Sequence, residues 1–124
     1  MSVQTNKNLV LEFYRAFDNR DIDKAFSCLG ANFIAHLAGI PEVLDRDGFK
    51  KFGMGFYSAF TEGRHQFDEV IVQDDIVTCG TFTAMHTGEF QGLPPTKKQI
   101  KISIMHIDLI EQEKIVEHWG QGDA

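Results

Sequence analysis

Cysteine is scarce in this chain: two among 124 residues, Cys28 and Cys79, far apart and with no partner cluster. That excludes a disulfide scaffold and a cysteine-rich metal site, and both thiols are expected reduced and structural. No apolar run approaches the length of a membrane span, and the opening MSVQTNKN lacks the apolar stretch of a secretory signal. The setting expected from these absences is cytoplasmic. Basic blocks are missing too, and the formal net charge is −6, so there is no positive footprint for nucleic acid. There is no glycine-rich phosphate loop, no G-x-S-x-G nucleophile turn, and no pair of histidines at helical i, i+4 spacing. A metal site is therefore not expected.

What is present is phenylalanine. Eleven Phe stand against two Tyr and one Trp, enough flat apolar surface for a packed core or for walls that hold a flat ligand. The length suits one domain, 1–124, able to bury a core without staples.

Leu9, Val10, Phe13, Tyr14 and Phe17 recur at three-to-four spacing and predict a helix over residues 5–19. Asp21 is placed to cap a short second helix carrying Ile22, Ala25, Phe26 and Leu29, with Gly30 at its end. A short strand is expected over 32–37. Phe49, Phe52, Phe56 and Phe60 share one face of a third helix, from about Asp47 to Thr61. Gly53 and Gly55 weaken that helix by roughly 1 kcal/mol each relative to alanine, so something must pack closely there. From Arg64 the pattern becomes strand-like, with a hairpin around Asp74-Asp75. A loop through Gly92, Pro94 and Pro95 leads to KKQIKISIMHIDLI, which is apolar on both faces, and a last strand follows, KIVEHW. Helices first and a meander last give an α+β domain: three helices on a strongly curved antiparallel sheet around an internal pocket.

Five histidines are available for chemistry. With a two-residue turn at Gln112-Glu113, Glu111 pairs with Lys114, and counting back sets His106 opposite Trp119. A histidine there is suited to acid–base work, since its pKa starts near ~6.5 and moves with burial. A plain core histidine fits the same pattern. Asp108 shares its nominal face with His106 or sits nearer the sheet edge. Asp123 reaches the pocket mouth if the Gly120–Gly122 stretch bends inward, and is otherwise a solvated tail residue. His86 falls on the side of Phe82 and Ala84. His118 faces away from Trp119, toward the other sheet face or a partner subunit. His65 is expected exposed, and His36 lines the pocket or sits at an edge.

The segments HTGEFQGLPPTKKQI (86–100) and MHIDLIEQEKIVEHWGQGD (105–123), with NLVLEFYRAFDNRDIDKAF near the start, resemble the SnoaL-like polyketide cyclase family. The resemblance covers almost the whole chain. It implies the cone-shaped nuclear transport factor two-like fold shared with ketosteroid isomerases, a homodimer, and a small apolar, polyketide-derived carbonyl compound as ligand. Characterised cyclases of the family, which act on polyketide esters, close a ring by an intramolecular aldol reaction without a cofactor. By the same resemblance His106 matches a pocket histidine. The family's acid–base carboxylate falls at position 120, which here is Gly120, and Asp123 matches a second acidic position.

Two readings follow. In the first the chain is a cofactor-free cyclase- or isomerase-like enzyme, with His106 and Asp123 catalytic. Its pocket is lined by Phe13, Phe17, His36, Phe56, Phe60, His86, Ile104 and Trp119. In the second it is a ligand-binding or accessory protein that has lost the carboxylate. A relative with different chemistry, hydroxylation or isomerisation, is a variant of the first.

Overall fold

The computed structural model describes residues 3–72, 75–90 and 92–123, with side chains for all of these except 3, 72, 75–79, 122 and 123. Helix α1 (Val3–Asp18) presents the predicted stripe, and Val10, Phe13, Tyr14 and Phe17 are buried along it. Helix α2 (Ile22–Ser27) starts at Asp21, whose carboxylate accepts the backbone N–H of Lys24, satisfying one of the open donors of a helix N-terminus. It ends at Cys28, so Leu29 and Gly30 already belong to strand β1 (Leu29–Leu37).

Helix α3 (Arg46–Ala59) follows the two-residue strand β2 (Leu44–Asp45). Asp45 caps it through the N–H of Gly48 at 2.7 Å. Gly53 has a packing reason: a methyl there would lie 2.5 Å from the Phe17 ring, so glycine lets α3 close onto α1. Gly55 faces open space and nothing in the structure explains it. The chain passes from α3 directly into β3 (Phe60–Val72), earlier than the expected start at Arg64. Strands β4 (Asp75–His86), β5 (Gln99–Glu111) and β6 (Lys114–Asp123) complete the meander; Asp74 of the expected hairpin turn lies outside the described residues.

The six strands form one curved, unclosed sheet in the order β2-β1-β6-β5-β4-β3. Every neighbouring pair is antiparallel except β1 and β6, which run parallel, so the sheet is mixed. The helices cover its inner face, and the core is a cluster of Phe13, Phe17, Phe26, Phe33, Phe49 and Phe82 with small aliphatic neighbours. Cys28 is free and buried; the Cys79 side chain lies outside the described ones. Among the described residues no helix is long and apolar enough to cross a membrane.

The β5–β6 register decides which side chains reach the interior. Gln112 and Glu113 both adopt positive φ, as the two-residue turn requires, and Glu111 pairs with Lys114. Beyond Ile110–Ile115 the next pair is Leu109–Glu117, so Val116 is an extra residue in β6, a bulge. His106 consequently stands opposite Gly120, not Trp119. Trp119 pairs with Ile107 on the outer face, while Asp108 and His118 pair with each other and point inward.

Candidate functional site

A cavity of about 270 Å³ lies between the helices and the inner sheet face. Phe13, Phe17, Phe49, Phe52 and Phe56 wall it from the helices, and Ile102, Ile104, His106, His118 and Gly120 from the sheet, with His65 at one side. A larger hollow of about 520 Å³ beside α1, near Asn8, Glu12, Arg15 and Glu113, has no histidine in its lining.

Two carboxylates hold two of the cavity histidines. Asp108 is fully buried; one of its oxygens accepts Tyr14 O–H at 2.7 Å and the other His118 Nδ1–H at 2.7 Å. Asp18, at the end of α1, repeats the pattern. It accepts Tyr57 O–H at 2.6 Å and His65 Nδ1–H at 2.7 Å, and its second oxygen accepts the His65 backbone N–H at 2.8 Å. The guanidiniums of Arg20 and Arg64 donate to the Asp18 backbone carbonyl, fixing the helix end. Burial, reinforced by the Asp18 carboxylate, pushes the Tyr57 phenol far above its ordinary range, so it remains a donor. A carboxylate accepts and does not donate, so each histidine keeps its proton on Nδ1. Nε2 is then the basic nitrogen.

His106 lies between these two pairs, its ring centroid 5.2 Å from His118, 5.8 Å from His65, and stacked on Tyr14 at 5.2 Å. Both its ring nitrogens are buried without a hydrogen-bond partner among the described residues. Burial depresses its pKa well below the ordinary histidine value, and the fields of His118 and His65 add to the effect. His106 is therefore a neutral imidazole at physiological pH, with one N–H to give and one lone pair to accept.

Of the residues singled out in the sequence, Phe13, Phe17, Phe56, Ile104 and His106 face the cavity. Phe60 packs behind Phe56 at 4.8 Å and stacks on His86 at 4.9 Å, one layer back. His86 is buried there, with Nδ1 held by the Thr96 backbone N–H and near its hydroxyl. His36 and Trp119 do not line the cavity. They stack on each other at 5.3 Å on the outer face, His36 bonded to Glu117 at 2.6 Å, because the bulge turns Trp119 outward. His65 is not exposed; its bond to Asp18 draws it inward, and its side chain is only 12% accessible. Asp123 ends β6 opposite Ser103, and its side chain lies outside the described ones. Asp18 and His65 were missed: 47 residues separate them and only tertiary packing joins them. Among the described residues no cluster fit to hold a metal ion is found.

A curved mixed sheet closed by three helices around such a cavity is an architecture with many solved counterparts. AclR from Streptomyces galilaeus, a proposed hydroxylase, superposes with a TM-score of 0.88 at 22% identity, covering 98% of this chain and 91% of that one. IdmH from Streptomyces antibioticus, a proposed polyketide cyclase, gives 0.85 at 20% identity, with 95% and 91% covered. A proposed polyketide cyclase from Acidithiobacillus ferrooxidans gives 0.84 at 24%, with 99% and 92% covered. These likenesses establish the nuclear transport factor two-like cone. No curated protein matches the chain in sequence. The SnoaL-like polyketide cyclase family matches residues 8–124, and the chain belongs to that family.

Proposed function

We propose that the chain binds a small, largely apolar carbonyl compound in the 270 Å³ cavity and moves protons on it by acid–base chemistry. The observation that carries this reading is the pair of carboxylate-held histidines, His118 on Asp108 and His65 on Asp18, with neutral His106 between them. Nε2 of one held histidine removes a proton next to the carbonyl, and its carboxylate stabilises the imidazolium that forms. The N–H of His106 supports the enolate oxygen, a role suited to a donor that carries no charge of its own. Return of the proton elsewhere gives isomerisation; attack of the enolate on a second carbonyl gives aldol ring closure. The carboxylate role assigned to Asp123 from the sequence is carried in this proposal by Asp108, acting through His118. Phenylalanine walls exclude water and accept a flat ring.

The test is exchange of the α-protons of 2-tetralone in D2O, followed by NMR. The protein should accelerate exchange above buffer, and His118→Ala should remove about 10²–10⁴-fold of that acceleration. Exchange that His118→Ala and His65→Ala both leave untouched would end the acid–base reading. A binding-only reading rests on Gly120, which cannot transfer a proton. Saturable binding of 2-tetralone with exchange no faster than in buffer would favour it.

We also propose a homodimer through the outer sheet face, where Met105 and Trp119 are exposed side by side with the half-buried Ile107.

A further inference from the structure

His118 and Gly120 stand two residues apart on β6, and both line the cavity. The His118 ring leans along the strand, so its Nε2 would lie only 2.9 Å from a Cβ at position 120. A Leu37 methyl would lie 3.0 Å from that carbon, and Nδ1 of His106, the cross-strand partner of Gly120, 3.3 Å. Carbon packs at about 3.5–4.0 Å, so the room that a side chain would need is already taken. The backbone supplies no other reason for glycine. Gly120 does not adopt a positive φ, and its carbonyl accepts Ala38 N–H at 3.0 Å.

The neighbours differ in how far they can yield. The Leu37 methyl ends a flexible side chain and can turn aside. The strand cannot, because Gly120 pairs with Leu37 of β1 on one side and His106 of β5 on the other. The His118 ring is anchored as well. Its Nδ1–H donates to Asp108 at 2.7 Å, and the other oxygen of that buried carboxylate accepts Tyr14 O–H at 2.7 Å. A Cβ at 120 is therefore accommodated by loosening the bond to Asp108, which fixes the lone pair on Nε2. We propose that Gly120 is a positioning residue: by carrying no Cβ it lets His118 keep Nδ1 on Asp108 while Nε2 lies at the cavity wall. This deepens the acid–base reading and rests on it, since the nitrogen so placed is a base of that reading.

The test is a double-mutant cycle on Gly120→Ala and His118→Ala, read by melting temperature, nitrogen-15 NMR of the His118 ring and 2-tetralone exchange. Gly120→Ala should lower the melting temperature of wild type. It should leave that of His118→Ala unchanged or raise it, because the ring it strikes is gone. In Gly120→Ala the neutral His118 ring should lose its fixed Nδ1–H tautomer. Exchange at saturating 2-tetralone should fall by about tenfold or more, with the half-saturating concentration changed by less than about threefold. A Gly120→Ala protein that keeps either the Nδ1–H tautomer or the accelerated exchange overturns the proposal. So does an equal fall in melting temperature in both backgrounds, which would place the conflict at Leu37 or the backbone. Should Gly120→Ala not fold, Gly120→Ala/His118→Ala decides: a folded double variant supports the proposal, and an unfolded one overturns it. The tautomer and melting readouts need no turnover. If wild type accelerates no exchange, the acid–base reading falls, and these two readouts alone decide whether Gly120 sets the ring.

Discussion

At the scale of single residues the unusual group is His106, an imidazole with two buried nitrogens and no hydrogen-bond partner among the described residues. Its native pKa lies well below the unfolded value of about 6.5 because burial penalises the cation. Above that value neither state binds the proton, and the native fold keeps its full stability. As pH falls below about 6.5 the unfolded chain takes up a proton that the native state refuses. Stability then drops by up to about 1.4 kcal/mol per pH unit, until the depressed native pKa is reached. Urea unfolding of wild type and His106→Gln between pH 7.5 and pH 5 should show a steeper loss in wild type by roughly that slope. Parallel curves would mean that His106 is hydrated or paired. His106 and Asp108 are legible in the sequence because strand alternation brings them into view. Asp18 and His65 are not, because a carboxylate at a helix end and a histidine early in a strand carry no local signature of each other.

Among the elements, α3 and β6 show what periodicity reads and what it does not. The Phe49, Phe52 and Phe56 stripe predicts both α3 and its inward face, and Gly53 is explained by the Phe17 ring against it. The two glycines of α3 should respond with opposite signs. Gly55→Ala meets nothing and should stabilise by up to about 1 kcal/mol through helix propensity. Gly53→Ala gains the same propensity but forces Phe17 aside, an overpacking cost of about 1–3 kcal/mol, so the net change should be destabilising. Thermal melts of the two variants check this, and a stabilised Gly53→Ala would show that α1 and α3 are not in close contact. In β6 the turn at Gln112-Glu113 is readable, and the bulge at Val116 is not. One extra residue reverses the face of every side chain after it, which is why Trp119 leaves the interior and His118 enters it.

For the molecule as a whole, the α+β cone follows from the order of helical and alternating segments, and the family match agrees with it. The parallel β1–β6 pairing is not encoded locally, since it joins residues some eighty apart in the chain. The outer sheet face carries Met105 and Trp119 in the open. Sedimentation equilibrium should therefore return twice the chain mass at micromolar concentration, and Met105→Glu should lower it toward one. A mass that stays at one chain across concentrations would contradict the dimer.

The account turns on where the protons sit on three histidines, and nitrogen-15 NMR of the labelled protein reads this directly. Wherever their rings are neutral, His118 and His65 should both be Nδ1–H tautomers with the lone pair on Nε2. His106 should be neutral and should remain so as the pH is taken below about 6.5. A neutral ring of either held histidine that carries its proton on Nε2, or a His106 that titrates at its ordinary value, would contradict the account.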